Sequence, residues 1–226
     1  TTLLQTNEAP DIINSWGGGV FYEQAKAGVL RPVDDVLSQE AKDAVGSAGL
    51  AAYTAPDGKL YGLARDVSEV VLWYNKDLFA QAGVDPASMA SWDGFLAGVQ
   101  KIKDAGITPL ALGGKDKWPA HFWWSKLVVR LAGQDGFNAA AANEGDGFMA
   151  EPFVKAGEYF LQLAELEPFQ QGFLAATYGD ASGFFGDGKA AMHLMGDWDY
   201  SVAKDNSASK EGIPDDKLGI LPFPTI

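Results

Sequence analysis

The chain has 226 residues, of which 17 are Lys or Arg and 30 are Asp or Glu, so its formal net charge is −13. Its 47% of apolar residues are enough to bury a core, which excludes a disordered acidic segment. The negative charge argues against a nucleic-acid or anionic-membrane surface, because both require clustered Lys and Arg. The absence of cysteine excludes disulfide scaffolds and thiolate sites. No apolar run approaches the roughly 20 residues that span a bilayer.

The first third of the chain predicts short elements joined by glycine-rich turns. Residues 10–14 predict a short buried strand that begins at Pro10, and Trp16 follows it with three consecutive glycines. Residues 20–29 predict a helix, and residues 57–59 a turn that leads into a strand over residues 60–64.

The rest of the chain alternates strand and helix patterns. A β-forming run predicts a strand at residues 70–74, and a short helix covers residues 78–83. Ser91 is a good N-cap for a helix over residues 92–105, in which Phe95, Val99 and Ile102 share one face. A strand at residues 108–112 completes a strand–helix–helix–strand unit, so the fold class is α/β. Helices from residues 118 and 152, then strands at residues 189–195 and 218–222, complete the prediction.

The sequence lacks most of the known motifs of catalytic and metal-binding sites. Residues 183–189 nearly match a phosphate-binding loop, but Ala190 stands where a Ser or Thr is required, and a tight turn explains the glycines better. His121 and His193 are the only histidines, too few for a His-rich metal site, and His193 lies in an apolar strand typical of the core. The sequence therefore predicts no metal and no cofactor. A pair of acids acting as a glycoside hydrolase stays open, because sequence alone does not pair two carboxylates.

The seven tryptophans are more informative. Trp73 and Trp92 fit packing positions within a strand and a helix. Trp16, Trp118 and Trp198 instead lie at strand ends or helix starts, beside Gly, Pro or Asp. Because α/β sheets bind ligands at the carboxyl ends of strands, exposed indoles there offer flat apolar faces to a sugar ring, and nearby Asp, Asn or Arg side chains bond its hydroxyls.

Several motifs in order resemble the extracytoplasmic carbohydrate-binding proteins of ABC transporters, the group that includes maltose-binding protein. The motifs are residues 10–13 with Trp16 and the glycines, 57–63, 71–79, 91–95, and 185–192 with 196–198. Together they cover nearly the whole chain.

The resemblance implies a two-lobe, type II periplasmic-binding-protein fold of α/β class, with a sugar bound between the lobes. Residues 1–69 and 198–226 would form a discontinuous, incomplete first lobe, and residues 70–197 the second. The family has a strand and a helix before Pro10 and further helices after Leu221, so we expect this sequence to be the middle of a longer protein. The implied ligand-binding residues are Trp16, Gly17, Asp66, Ser68, Trp118, His121, Asp197 and Trp198, with Arg65, Trp123 and Tyr178 as weaker candidates.

The implied function is capture of a mono- or short oligosaccharide and its delivery to a membrane permease, without catalysis. The partners would be the carbohydrate and the permease, not nucleic acid, and the protein would be a monomer. It would be periplasmic or extracellular, with or without a lipid anchor, and its signal segment would lie outside the given residues. Two alternatives are the glycoside hydrolase and a sugar-sensing partner of a receptor; a cationic ligand such as a polyamine would also suit acids and aromatics.

Overall fold

The computed structural model describes residues 6 and 9–226, and within them eight α-helices and four β-strands are defined. The fold divides into two units, residues 1–68 and residues 69–226. The helices are α1 Gly19–Lys26, α2 Gln39–Ala51, α3 Lys76–Ala82, α4 Trp92–Asp104, α5 Trp118–Ala141, α6 Glu151–Glu165, α7 Tyr178–Gly186 and α8 Asp199–Asn206. The strands are β1 Val70–Asn75, β2 Thr108–Ala111, β3 Ala190–Gly196 and β4 Leu218–Leu221.

The first unit contains α1 and α2, and two strand predictions fail in it. Residues 10–14 are not a strand: Ile12 is 89% exposed, and no strand pairing is recorded for them in the described part of the chain. Residues 60–64 are not a strand either, because only Leu60 forms a bridge, to Thr54. The predicted turn at residues 57–59 is present, and Ala55 N–H donates to the Lys59 carbonyl across it at 2.9 Å.

The second unit is built on one sheet with the strand order β2-β3-β1-β4. Strands β2 and β3 are parallel, with Ala111 opposite His193, whereas β1 is antiparallel to both β3 and β4. The predicted strand–helix–helix–strand order from residue 70 to residue 112 is present. Its two strands are not neighbours, however, because β3 lies between them and they run in opposite directions.

The core of the second unit lies between this sheet and its helices. Helix α4 packs the predicted face inward, with Phe95, Val99 and Ile102 at 0% exposure. Each such side chain contributes about 1.5–3 kcal/mol on burial. Trp73 and Trp92 are buried, as predicted, at 8% and 3% exposure.

Residues 198–226 pack within the second unit, where α8 lies against α7 and β4 pairs with β1. The close approach of α8 to α7 depends on glycine: a Cβ at Gly183 would come within 2.5 Å of the Asn206 carbonyl oxygen. The division of the whole protein into lobes of residues 1–69 with 198–226, and 70–197, stays a prediction.

Candidate functional site

The candidate site lies in the second unit at the edge of the sheet where β2 and β3 both end. Parallel strands place their carboxyl ends at the same edge. Strand β2 ends at Ala111 and leads through a 3₁₀ turn, Gly114–Asp116, to Trp118 at the start of α5. Strand β3 ends at Gly196 and leads directly to Asp197 and Trp198. Two of the three predicted indoles therefore follow neighbouring parallel strands.

Five aromatic rings connect at this edge, and we call them the aromatic surface: Trp118, His121, Phe122, Tyr178 and Trp198. The rings of Trp118 and Phe122 have centroids 5.6 Å apart, and Phe122 lies 6.4 Å from Trp198. Tyr178 packs edge to face on Trp118 at 4.8 Å, and His121 lies 4.7 Å from Phe122. Trp118 and Trp198 therefore belong to one connected set of rings, with Phe122 between them.

The two indoles are partly open to solvent. Trp118 is 37% exposed and Trp198 is 40% exposed, whereas the packing tryptophans are almost fully buried. His121 is exposed, and its Nδ1 lies 2.6 Å from the Trp118 carbonyl oxygen, which can only accept a hydrogen bond. Nδ1 therefore carries a proton, and this bond fixes the orientation of the imidazole beside Trp118.

Asp197 supplies an exposed carboxylate at the same strand end. Its backbone N–H donates to the Glu69 carbonyl at 2.9 Å, which ties the turn after β3 to the residue before β1. Val70 pairs with Gly196, so β1 begins at this edge too. A carboxylate next to exposed indoles accepts hydrogen bonds from ligand hydroxyls, and such charge-assisted bonds are stronger than neutral ones.

Helix α7 positions Tyr178 at its first residue. The Thr177 hydroxyl and the Asp180 carboxylate cap this helix reciprocally, and the Tyr178 N–H donates to Asp116 Oδ2 at 2.7 Å. The hydroxyl oxygen of Tyr178 is buried. Burial, and then the negative charge of Asp199, raise the pKa of the Tyr178 phenol far above its usual range. Tyr178 is therefore a neutral phenol whose ring supports Trp118.

A buried polar group lies close to the aromatic surface. The Ser182 hydroxyl donates to Asp199 Oδ1 at 2.7 Å, and Asp199 Oδ2 lies 3.5 Å from His193 Nε2. All three residues are at most 1% exposed. The prediction that His193 is a core residue is confirmed, but only its Nδ1 has a hydrogen-bond partner, the Ala111 carbonyl at 3.0 Å.

The predicted residues of the first unit lie on two exposed segments. Trp16 is 86% exposed, and its loop is held by a bond from the Tyr53 hydroxyl to the Ser15 carbonyl at 3.0 Å. A Cβ at Gly17 would come within 2.7 Å of the Ala52 carbonyl oxygen, so close packing requires this glycine. Asp66 and Ser68 are exposed, and Arg65 pairs with Asp66 at 2.9 Å.

Trp123 lies in the core of the second unit. It is 1% exposed and packs against Phe95 and Phe223, with ring centroids 5.8 and 6.0 Å away. Trp123, a weaker candidate for ligand binding, is therefore a core residue whose indole is inaccessible to a ligand.

Three other features considered from the sequence are a phosphate-binding loop, a metal site and a membrane-spanning helix. Residues 183–186 belong to α7, so the near match to a phosphate-binding loop is part of a helix and a following turn. Among the described residues, no cluster of three or more His, Asp or Glu side chains is arranged to hold a metal ion. Within the same residues, no helix is long and apolar enough to cross a membrane.

Sequence reasoning missed Phe122 and the Ser182–His193–Asp199 group. Phe122 sits inside a helix, where an aromatic residue is typical of packing. Asp199 directly follows Trp198, and that adjacency is the one signal in the sequence that could have drawn attention to it.

The second unit is thus a mixed α/β structure with exposed indoles and a carboxylate at the carboxyl ends of parallel strands, the edge at which sheets of this class bind ligands. The family model of the bacterial extracellular solute-binding proteins matches residues 1–226. The chain belongs to this family.

Curated relatives are similar along almost the whole chain. An ABC transporter extracellular-binding protein of Pyrococcus horikoshii, described as uncharacterized, is 29% identical over 225 residues, which are 99% of this chain and 49% of that protein. The multiple sugar-binding protein of Streptococcus mutans is 25% identical over 241 residues, 99% of this chain and 51% of that protein. The chain thus spans about half the length of these relatives.

Solved structures agree with the fold. A structure from work on xylan utilization by the thermophilic bacterium Caldanaerobius polysaccharolyticus has a TM-score of 0.88 and 28% identity, and covers 100% of this chain and 56% of its own. A chitin oligosaccharide binding protein has a TM-score of 0.81 and 28% identity, with 100% and 54% covered. These matches and the family assignment confirm the predicted type II solute-binding fold.

Proposed function

We propose that the protein containing this chain binds a mono- or short oligosaccharide at the aromatic surface of the second unit and delivers it to an ABC transporter permease. The observation that carries the proposal is the connection of two partly exposed indoles, Trp118 and Trp198, through Phe122 at one sheet edge. An indole face packs well on the C–H face of a pyranose ring, and burial of that apolar face contributes about 25 cal/mol per Å².

Polar groups around the rings suit a neutral sugar. Asp197 and His121 are exposed beside Trp198 and Trp118 and would bond ligand hydroxyls. Names of relatives support this class of ligand: one is a multiple sugar-binding protein and one binds chitin oligosaccharides. Trp16, Gly17, Asp66, Ser68 and Arg65 of the first unit remain predicted ligand residues, each to be tested by its own substitution.

We infer that this function involves no catalysis, because the family consists of binding proteins. The hydrolase alternative requires two carboxyl groups about 5–9.5 Å apart flanking one bond. At this sheet edge Asp197 and Glu69 are exposed and Asp199 is buried, so turnover of nitrophenyl glycosides that is lost in Asp197→Asn would be the result that favours the hydrolase. We further propose a monomer located outside the cytoplasm.

Tryptophan fluorescence of the natural protein that contains these 226 residues tests the proposal. The panel is xylotriose, chitotriose, maltotriose, raffinose and galactose, each titrated at constant protein concentration. We expect saturable quenching or a spectral shift with at least one sugar, lost in Trp198→Ala and kept in Trp92→Phe, whose indole is buried. A flat response to the whole panel, or an unchanged response in Trp198→Ala, would count against sugar binding at this surface.

A further inference from the structure

The buried group of Ser182, His193 and Asp199 is not explained by the binding surface alone. Its members come from α7, β3 and α8 and are at most 1% exposed, so none of them contacts a ligand directly. Placing an acid and an imidazole in a dry interior is costly unless they are paired.

The Ala111 carbonyl fixes one proton of His193. A carbonyl oxygen only accepts, so the 3.0 Å contact requires a proton on Nδ1. Nε2 then faces Asp199 Oδ2 at 3.5 Å, and neither atom is exposed to water. The Ser182 hydroxyl donates to Asp199 Oδ1, which favours the ionised carboxylate. If Nε2 carried no proton, its lone pair would then face a carboxylate lone pair, which is repulsive in a medium of low dielectric. The geometry therefore favours a second proton, on Nε2.

Three buried side-chain atoms of the described residues have no hydrogen-bond partner, and they belong to one neighbourhood: Tyr178 Oη, His193 Nε2 and Asp199 Oδ2. With Nε2 protonated, two of them are donors and the third is a carboxylate oxygen with two lone pairs, so Oδ2 can accept from both. Tyr178 lies one turn before Ser182 on α7, and Ser182 bonds Asp199, so the phenol and the carboxylate face the same side of this helix. Leaving such atoms unpaired costs about 1–3 kcal/mol each, so small side-chain movements that pair them are favoured.

We propose that His193 is an imidazolium ion paired with Asp199, and that Asp199 Oδ2 accepts hydrogen bonds from both His193 and Tyr178. His193 and Asp199 are then positioning residues: they hold the Tyr178 ring, which packs on Trp118 at 4.8 Å. The Ser182 hydroxyl donates a hydrogen bond to the other carboxylate oxygen of Asp199, Oδ1, at 2.7 Å. The effect on sugar affinity rests on the proposed function; the proton count does not.

The surroundings of His193 leave Asp199 as its charge partner. Within the part of the chain that the structure describes, Asp199 is the acid within 4.0 Å of this imidazole. The Phe185 ring of α7 packs 5.7 Å from it, and Trp73 of β1 lies opposite it in the sheet. The Trp73 Nε1–H donates to the Gly196 carbonyl at 3.2 Å and so does not compete for Asp199.

Nitrogen NMR of ¹⁵N-histidine-labelled protein tests the proton count without any sugar. The chain has only two histidines, and a His121→Gln variant assigns the signals. We expect both ring nitrogens of His193 to carry protons at pH 7.5, and Asp199→Asn to leave one proton, on Nδ1. A neutral His193 ring with a bare Nε2 in the unsubstituted protein would overturn the proposal. The assignment changes only the exposed His121 and leaves the buried group intact.

Sugar affinity tests the positioning role, with the sugar from the panel that binds tightest. Asp199→Asn and Tyr178→Phe should each weaken binding severalfold, because the Tyr178 ring is then less firmly held beside Trp118, and the double variant should be no weaker than either. Asp205→Asn, an exposed acid on the same helix α8, is the matched control and should bind normally. Folded Asp199→Asn protein with unchanged affinity, or additive losses, would refute the positioning role. If no sugar binds, the proposed function fails while the NMR result still decides the proton count.

Discussion

The substitution Gly113→Ala should displace the backbone of Tyr178 and thereby disturb the aromatic surface. Gly113 lies just beyond β2, at a φ of −90° that any residue adopts, so backbone strain does not enter. A Cβ there would lie 2.7 Å from both the Thr177 carbonyl oxygen and the Tyr178 nitrogen. Those atoms belong to the backbone and are held by the α7 cap, so they do not rotate away.

The size of the effect follows from these distances. Normal contact begins near 3.4 Å, so Gly113→Ala requires the backbone at residues 177–178 to move by about 0.7 Å. Overpacking of this kind costs about 1–3 kcal/mol. For a unit of this size, such a loss lowers the melting temperature by about 2 to 12 °C. Tyr178 moves with its backbone, so sugar affinity should also fall.

Thermal unfolding followed by circular dichroism, with sugar titration of the same samples, measures both effects. Gly157→Ala is the control: Gly157 lies inside α6 with nothing within 4 Å of its added Cβ, so the substitution should stabilise by about 0.5–1 kcal/mol. Equal melting temperatures and affinities for Gly113→Ala and the unsubstituted protein would refute the packing argument.

Three further predictions concern the frame of the site. Gln170 bonds both polar groups of the Leu112 backbone, at 2.9 and 2.8 Å, so Gln170→Ala should cost about 1–3 kcal/mol in urea unfolding; an unchanged midpoint would contradict this. Asn75 caps α3 by accepting from Asp77 N and Leu78 N, so Asn75→Ala should cost about 1 kcal/mol, whereas Asn75→Asp keeps the acceptor and most of the stability; equal losses would argue against the cap. The hydrogen bonds from the Thr177 hydroxyl and then from the Thr177 backbone N–H lower the pKa of Asp180 below its usual value of 3.8. A carboxyl group whose pKa is lower in the folded than in the unfolded protein stabilises the fold at a pH above its unfolded pKa. Asp180→Asn should therefore be less stable than the unsubstituted protein at pH 7, and the difference in stability should shrink as the pH falls below about 4. A difference that stays constant with pH would show that the carboxylate charge is not involved.

Local patterns predicted the second unit better than the first. Helix α4 begins at Trp92 as predicted and ends one residue early, because its spacing of apolar residues matches a face that is fully buried. The run at residues 10–14 has a similar apolar content but forms no strand. A strand requires a partner and a buried face, and the sequence of one segment contains neither.

The site was predictable where a Gly, Pro or Asp residue in the sequence marks the end of a strand or the start of a helix. Trp118 and Trp198 stood out because Gly, Pro or Asp lies beside them, and the structure joins them. Phe122 was not predictable, because its position between the two indoles depends on how α5 crosses the sheet edge. His193 and Asp199 are six residues apart in the chain, and only the turn of β3 into α8 brings them together.

The crystal structure of the natural protein with its tightest-binding sugar from the panel is the most direct test of the central claim. We predict a sugar ring in contact with the indole of Trp198 or Trp118, with a ring hydroxyl bonded to Asp197 or His121. A bound sugar that leaves all four side chains free would contradict the claim that this aromatic surface is the binding site.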